Sequence, residues 1–210
     1  MDILLKYFKH LSDKQLSQFF TLHQYYTNDV LNTGILPRKE IETFYQTQVL
    51  YSLSLAKFID FKAKTNILDV GTGTGFPGIP LAILFPKVHF TLCDHAKEIA
   101  VVQRVVKEIG LQNTTIIADK VQAVTDEFHF IISRAVAFAK DICNWTNGYL
   151  SADSFNNQPN GYLLLKYGNR QNEINELLQQ NPSFCINEIL LSDYYSEDFF
   201  KQKCIYYIHN

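Results

Sequence analysis

Asp69-Val70-Gly71-Thr72-Gly73-Thr74-Gly75 is the stretch that decides the fold class of this chain. It follows a short apolar run at residues 66–70 and precedes an apolar segment of helical length at residues 79–85. Because glycine adopts backbone conformations that other residues avoid, its three glycines allow a sharp turn and the close approach of a ligand. The stretch therefore predicts a strand, a turn and a helix, with a nucleotide-like ligand over the turn.

The spacing of the glycines separates the cofactor classes. A dinucleotide-binding loop has the pattern G-x-G-x-x-G, whereas this loop reads G-x-G-x-G and continues with Phe76. The spacing favours S-adenosylmethionine over NAD. An NAD-dependent oxidoreductase stays open as a less favoured hypothesis that rests on the loop alone. No Gly-Lys-Ser/Thr follows the glycines, which excludes the P-loop ATPases.

Strand and helix patterns alternate on both sides of this loop. Strands are predicted at residues 66–70, 88–93, 115–118, 128–133 and 162–166, and helices at 79–85, 97–109, 138–145 and 173–180. Such alternation is typical of a parallel sheet flanked by helices. The segments 185–191 and 204–208 predict an antiparallel pair at the end of the sheet.

The first sixty residues have helical periodicity instead. Apolar spacing predicts one helix over residues 3–11, a second after the capping pattern Ser12-x-x-Gln15, and a long third helix over residues 41–59. We therefore expect an N-terminal helical extension, residues 1–62, that packs on an α/β domain, residues 63–210, in one compact unit.

Composition and charge narrow the function classes. With 47% apolar and 19% charged residues, the 210-residue chain is too apolar to be disordered. Its net charge of −2 gives no overall positive field, so a nucleic-acid partner depends on a local basic patch. The N-terminal candidates are Lys6, Lys9, His10, Lys14, Arg38 and Lys39, with a solvated helix face as the alternative.

Metal binding and membrane association are not expected. The four cysteines have no C-x-x-C spacing and the histidines are scattered, so no metal site is predicted. The longest apolar run, residues 79–85, contains Pro80 and is far too short to span a membrane, and no signal-type segment opens the sequence. We therefore expect a cytoplasmic protein.

Three polar residues follow predicted strands, at the edge where open α/β sheets bind ligands. Asp94 lies 25 residues beyond Asp69, where a carboxylate can accept hydrogen bonds from ribose hydroxyls or cap the next helix. Arg134 and Lys166 end the fourth and fifth strands, where each can clamp a phosphate or a base. The alternative for both is an ion pair with a local acid.

Residues 71–86, Gly-Thr-Gly-Thr-Gly-Phe-Pro-Gly-Ile-Pro-Leu-Ala-Ile-Leu-Phe-Pro, resemble the glucose-inhibited division protein B family. Its members methylate N7 of a guanine in small-subunit ribosomal RNA. The resemblance extends to residues 49–53, to Ile132-Ser133-Arg134-Ala135 and to Leu165-Lys166. It implies a class I S-adenosylmethionine-dependent methyltransferase fold, Rossmann-like, with a mostly parallel seven-stranded sheet, an antiparallel C-terminal strand and an N-terminal helical extension.

The resemblance also implies a site, with small-subunit ribosomal RNA as partner. S-adenosyl-L-methionine would lie over the loop, with Asp94 at the ribose and Arg134 lining the site. The cofactor-binding residues implied are Gly71, Gly73, Gly75, Phe76, Asp94, Val121, Gln122 and Arg134, of which Val121 and Gln122 would hold the adenine. Arg134 and Lys166 are the implied catalytic residues. Phe76 and Tyr167 are candidates for stacking on a base, with packing as the alternative, and the protein is expected to be a monomer.

Two departures from the family pattern concern charge. Where the family carries adjacent basic residues after the ribose acid, this chain reads Asp94-His95-Ala96-Lys97, so positive charge is lost near the expected RNA face. In the adenine site, an acidic residue of the family is replaced here by Gln122. The alternative hypothesis is a degenerate relative that binds RNA or the ribosome without transferring a methyl group.

Overall fold

The computed structural model describes residues 1–30, 38–95, 97, 99–134, 136–168 and 170–210, with the backbone alone at 29, 30 and 41. A seven-stranded sheet has the order β3-β2-β1-β4-β5-β7-β6. Its strands are β1 Asn66–Val70, β2 His89–Cys93, β3 Thr114–Ile117, β4 Phe130–Arg134, β5 Gly161–Tyr167, β6 Cys185–Leu190 and β7 Lys203–His209. The first five strands are parallel, and β7 runs antiparallel to β5 and β6. The predicted fold class is confirmed.

Helices cover both faces of the sheet. They are α1 Asp2–Tyr7, α2 Asp13–Gln24, α3 Arg38–Glu42, α4 Tyr51–Leu53, α5 Leu55–Phe58, α6 Gly78–Leu84, α7 Ile99–Glu108, α8 Ala139–Trp145 and α9 Gln171–Gln180. The described residues also include the π-helices Tyr25–Val30 and Tyr45–Leu50 and the 3₁₀ turns Val121–Ala123, Leu191–Asp193 and Asp198–Phe200. No helix of the described ranges is long and apolar enough to cross a membrane.

Successive strand residues point to opposite faces of the sheet, so the apolar strands build two cores. Ile67 packs into a core shared with the N-terminal helices, α6 and α7. Its neighbour Leu68 packs into a second core, with residues of α8 and α9 on the other face. Because both faces are covered, the central strands β1, β2, β4 and β5 are mostly buried apolar runs, which is why they stand out in the sequence.

The N-terminal helices confirm one prediction and correct another. Ser12 and Gln15 form the predicted capping box at the start of α2. The helical segment predicted over residues 41–59 is present, but it is not one regular helix, because α3, a π-helix, α4 and α5 follow one another there with right-handed helical backbone at Phe44, Tyr51 and Ser54. Ser52 and Ser54 donate hydroxyl hydrogen bonds to the carbonyls of residues 48 and 50, and such bonds compete with regular helix geometry.

The sheet has a topological switch point at β1, because successive strands are added first on one side of β1 and then on the other. The chain moves from β1 outward to β2 and β3, then returns to β4 on the other side of β1. Connections that leave neighbouring strands in opposite directions open a crevice at the carboxyl ends of those strands. The glycine stretch after β1 and the Ser133-Arg134 segment of β4 lie at this crevice.

Candidate functional site

A cavity of about 290 Å³ lies over the glycine loop, at the carboxyl ends of β1, β2 and β3. Its size is close to the lower end of ligand pockets, about 300–1,000 Å³. It is lined by Val70, Gly71, Cys93, Asp94, His95, Asp119, Lys120, Val121, Gln122, Val136 and Trp145. Four predicted cofactor-binding residues, Gly71, Asp94, Val121 and Gln122, are thus brought together by the fold.

The glycine loop has no room for a side chain at Gly71 and exposes its backbone at Gly73. Gly71 has φ +67°, and a Cβ there would lie 2.3 Å from Cγ2 of Val136. At Gly73, with φ +55°, a Cβ would meet nothing within 4 Å, so the loop backbone is open to a ligand. The loop therefore offers backbone groups rather than side chains, as a site for a nucleotide-like cofactor requires.

Asp94 links the end of β2 to the loop. Its Oδ2 accepts a hydrogen bond of 2.8 Å from the N–H of Gly73, and its Oδ1 lies 3.7 Å from Nδ1 of His95. The side chain is 11% exposed and lines the cavity. A carboxylate fixed in this way is placed to accept hydrogen bonds from ribose hydroxyls.

The far wall of the cavity is suited to an adenine ring. Val121 is buried in a 3₁₀ turn, and the hydroxyl of Tyr149 donates a hydrogen bond of 3.2 Å to its carbonyl. Gln122 is exposed, and its amide can both donate and accept hydrogen bonds. An open glycine backbone, a fixed carboxylate and an apolar wall with an amide fit S-adenosylmethionine.

Asp69 holds the loop from below. Its Oδ2 accepts hydrogen bonds from the hydroxyl of Thr72, at 2.7 Å, and from the N–H of Gly78, at 2.9 Å. Its Oδ1 is buried without a hydrogen-bond partner in the described structure. Burial raises the pKa of Asp69 to about 7, against the lowering effect of the two hydrogen bonds.

The N-terminal helices hold the loop from the side. The buried Tyr26 donates a hydrogen bond from its hydroxyl to the carbonyl of Thr74. The Phe76 ring is 2% exposed and lies 5.3 Å from the Tyr26 ring and 5.8 Å from the Phe44 ring, between centroids. A ring enclosed in this way favours the packing alternative for Phe76 over stacking on a base. Gly75 lies beside it, against Ile79.

Arg134 points toward the N-terminal helices. Its guanidinium donates a hydrogen bond of 2.6 Å to Oε1 of Gln48 and a longer one of 3.4 Å to the carbonyl of Thr47. It also lies over the rings of Phe76 and Tyr51, at 5.3 and 5.8 Å. Gln48 in turn donates a hydrogen bond to Glu40, so Arg134 and Glu40 are joined through an amide. These contacts tie β4 to the second π-helix.

Lys166 forms an ion pair, which was the alternative left open for it. Its Nζ lies 2.6 Å from Oε1 of Glu173, and the two side chains are 7% and 4% exposed. The ammonium also donates a hydrogen bond of 2.7 Å to the carbonyl of Ala137, and Glu173 accepts one from the N–H of Ala139. The pair therefore fixes the loop between β4 and α8 from the end of β5.

Comparison with known proteins identifies the family. The GidB family model, described as rRNA small subunit methyltransferase G, matches residues 14–190. The ribosomal RNA small subunit methyltransferase G of Cytophaga hutchinsonii is 42% identical over 209 residues, covering 99% of both chains. That of Christiangramia forsetii is 38% identical, covering 99% of this chain and 96% of its own. The chain belongs to the rRNA small subunit methyltransferase G family.

Solved structures agree on the fold. A SAM-dependent methyltransferase from Aquifex aeolicus aligns with a TM-score of 0.59 at 13% identity, covering 82% of this chain and 98% of its own. Magnesium protoporphyrin IX methyltransferase from Synechocystis aligns with a TM-score of 0.58 at 15% identity, covering 95% and 97%. Membership in the family confirms the predictions of a methyltransferase and of S-adenosylmethionine as its cofactor.

Several site residues were not found from the sequence. Val136 covers Gly71, Trp145 lines the cavity from α8, and Gln48 holds Arg134 from 86 positions earlier in the chain. Each belongs to an element that gives no local signal for a ligand. Only the position of Val136, two residues beyond the Arg134 that ends β4, could have placed it at the edge of the sheet.

Proposed function

We propose that the protein transfers a methyl group from S-adenosylmethionine to N7 of a guanine in small-subunit ribosomal RNA. The observation that carries the proposal is the cavity over the glycine loop, in which Gly71, Asp94, Val121 and Gln122 converge at the carboxyl edge of the sheet. Family membership supports the choice of substrate.

The proposed roles follow the chemistry of each wall. Backbone groups at Gly71 and Gly73 would hold the amino acid part of the cofactor, Asp94 the ribose hydroxyls, and Val121 with Gln122 the adenine. When bound, S-adenosylmethionine supplies a methyl group on a positively charged sulfur, which a lone pair can attack directly. The chain's task is then to hold the acceptor base in line and to exclude competing water.

Guanine N7 is a methyl acceptor that needs no acid–base pair. N7 carries a lone pair in the plane of the ring, so no proton has to leave before it attacks. The described side chains place Lys166 beside Glu173, at 2.6 Å, and His95 beside Asp94, at 3.7 Å, and the proposed reaction needs no proton transfer by either pair. Catalysis would come from positioning, which can lower a barrier by several kcal/mol.

The test is methyl transfer to small ribosomal subunits that lack N7 methylation. Protein and methyl-labelled S-adenosylmethionine would be incubated with these subunits, and the label mapped by cleavage at N7-methylguanine. We expect label at a single guanine. Cofactor binding without label would contradict the proposal and favour the non-catalytic relative.

A matched pair of variants connects the activity to the cavity. Asp94→Asn keeps an oxygen for the Gly73 N–H but loses the charge offered to the ribose, so cofactor affinity should fall about tenfold. Asp126→Asn changes an exposed acid in the loop before β4 and should leave affinity unchanged. Trp145, the single tryptophan of the chain, lines the cavity and reports binding by its fluorescence.

The proposal also concerns the oligomeric state of the protein, its location and its need for a metal ion. We propose a monomer that works in the cytoplasm without a metal ion, since a neutral lone pair needs no Lewis acid to become nucleophilic. Among the residues described, no group of three or more His, Cys, Asp or Glu side chains could hold a metal. Sedimentation of the purified protein tests the monomer, and activity in the presence of a chelator tests the metal.

A further inference from the structure

A second cavity, which we call the β4–β5 cavity, lies beside the one over the glycine loop. It has a volume of about 430 Å³ and lies at the carboxyl ends of β4 and β5. Val136 lines both cavities. A molecule seated in the β4–β5 cavity would therefore be a neighbour of a cofactor over the glycine loop, with Val136 in contact with both cavities.

The walls of this cavity present flat apolar surfaces. Phe138 and Tyr167 both line it, and both side chains are 54% exposed. Neither ring is paired with another aromatic ring in the part of the chain that the structure describes. Unpaired aromatic rings at the mouth of a cavity are typical of sites where an unstacked base is held.

One acid that lines the cavity has no ion-pair partner among the described residues. Lys166 and Glu173 lie at its floor and neutralise each other at 2.6 Å. Asp141, in the first turn of α8, lines the cavity, and its carboxylate has no hydrogen-bond or ion-pair partner among the described side chains. Its chain neighbour Lys140 is bound to Glu176 at 2.5 Å. The carboxylate of Asp141 is thus available to a ligand.

Two cations lie at the rim. The ammonium of Lys203 is 3.9 Å from the centroid of the Phe199 ring and 4.7 Å from that of Tyr167. Arg170 donates from Nε to the carbonyl of Tyr167 at 2.9 Å, which leaves its terminal nitrogens as further donors. A ligand with a flat apolar ring, hydrogen-bond donors on one edge and an attached phosphate matches these features.

Guanine has the hydrogen-bond donors that the carboxylate of Asp141 can accept. Its N1–H and its N2 amino group are adjacent donors, which the two oxygens of one carboxylate can accept together. Adenine places an acceptor, N1, where guanine has the N1–H, and that acceptor would face the carboxylate. N7 lies on the opposite edge of the purine, so a carboxylate that holds N1 and N2 leaves N7 free.

We infer that the β4–β5 cavity receives the acceptor guanine, turned out of its RNA strand, and that Asp141 selects guanine by accepting hydrogen bonds from N1–H and N2. This inference rests on the proposed function, because it assigns the base-binding part of the same reaction. Phe138 and Tyr167 hold the plane of the ring, and Lys203 with Arg170 face its phosphate.

Nucleotide binding tests the inference without methyl transfer. The protein, saturated with S-adenosylhomocysteine, would be titrated with guanosine 5′-monophosphate and with inosine 5′-monophosphate, which lacks the N2 amino group. We expect the guanine nucleotide to bind about tenfold more tightly, and Asp141→Asn to abolish the preference. Equal behaviour of the two nucleotides, or a preference that survives Asp141→Asn, overturns the inference.

Methyl transfer separates this inference from the proposed function. Asp141→Asn should lower kcat/KM for small ribosomal subunits about 10- to 100-fold, while cofactor affinity and thermal unfolding stay unchanged. Asp153→Asn is the matched control, because Asp153 is exposed in the loop that precedes β5, at the opposite edge of the sheet. A wild-type protein that labels subunits while Asp141→Asn is fully active refutes the inference alone. A guanine preference without any label in subunits refutes the proposed substrate alone.

Discussion

Nζ of Lys166 lies 2.6 Å from Oε1 of Glu173, and both side chains are almost fully buried. Lys166 ends the apolar run of β5, and Glu173 belongs to the first turn of α9. Because Lys166 also bonds to the carbonyl of Ala137, just before α8, and Glu173 to the N–H of Ala139, the first residue of α8, the pair joins three elements at the edge of the sheet. Its removal is therefore expected to affect stability more than a surface ion pair would.

Breaking this pair on one side should be costly. Lys166→Met leaves the Glu173 carboxylate buried without its cation, so we expect the free energy of unfolding to fall by about 3–5 kcal/mol. The double variant Lys166→Met, Glu173→Gln keeps an oxygen for the Ala139 N–H and should recover most of the loss. Urea unfolding measures both, and equal loss in the two variants would contradict a paired charge.

Arg134 is expected to stabilise the fold as well as the site. A substrate-contacting Arg134, as the sequence suggests, predicts little change in stability on substitution. The hydrogen bond to Gln48 and the contacts with Phe76 and Tyr51 instead predict that Arg134→Ala lowers the free energy of unfolding by about 2 kcal/mol. Arg104→Ala, at an exposed position of α7, is the control. If Arg134→Ala kept its stability but lost methyl transfer, Arg134 would contact the substrate, as the sequence predicts, and would not stabilise the fold.

Gly71 and Val136 should behave as a pair. Gly71→Ala adds a Cβ 2.3 Å from Val136 at φ +67°, so we expect a loss of about 2–4 kcal/mol and much weaker cofactor binding. Adding Val136→Ala removes the two nearest atoms, Cγ1 and Cγ2, leaves the Cβ of residue 136 at 3.0 Å, and should restore part of the stability. Gly148→Ala, at φ +84° with nothing within 4 Å, isolates the backbone strain. The same loss in Gly148→Ala as in Gly71→Ala would show that the contact with Val136 is unimportant.

Asp69 should make stability depend on pH. Burial raises its pKa from 3.8 to about 7, so between these values the folded chain holds a proton that the unfolded chain has lost. Stability should therefore fall as pH rises through this window, by up to about 1.4 kcal/mol per pH unit, and level off above it.

The matching variant is Asp69→Asn, which keeps an acceptor for Thr72 and Gly78 without a charge. Urea unfolding between pH 4 and 8 should show that its stability lacks this part of the pH dependence. Asp60→Asn, at an exposed position, should retain the wild-type slope. Parallel curves for the wild type and Asp69→Asn would contradict the raised pKa of Asp69.

Tyr26 is expected to couple the N-terminal extension to cofactor binding. Tyr26→Phe removes the hydrogen bond to the carbonyl of Thr74 in the glycine loop, at a cost of about 1 kcal/mol. Cofactor affinity, read from Trp145 fluorescence, should fall with it. Tyr45→Phe loses a hydrogen bond of 3.2 Å to the carbonyl of Phe19 within the extension, and should leave affinity unchanged.

The boundary between the N-terminal extension and the α/β domain, between residues 62 and 63, stays a prediction.

Residues of the cofactor site could be predicted where a local pattern fixes the backbone. Gly71 and Asp94 follow strands, so a strand prediction alone places them at the crevice. Val121 and Gln122 came from the family resemblance, since a 3₁₀ turn in a loop has no periodicity. The sequence could not predict where the long side chains point. Arg134 and Lys166 lie at the expected edge of the sheet, but their charged groups bind Gln48 and Glu173.

The sequence by itself determined the order of strands and helices, the glycine loop and the cofactor class. These depend on local properties: apolar periodicity, the backbone freedom of glycine and the termination of strands. The tertiary structure alone decided that Val136 covers Gly71, that Tyr26 holds the loop and that Asp141 faces a cavity. Such contacts join residues far apart in the chain, and their geometry follows from how helices pack on the sheet, which no short stretch of sequence encodes.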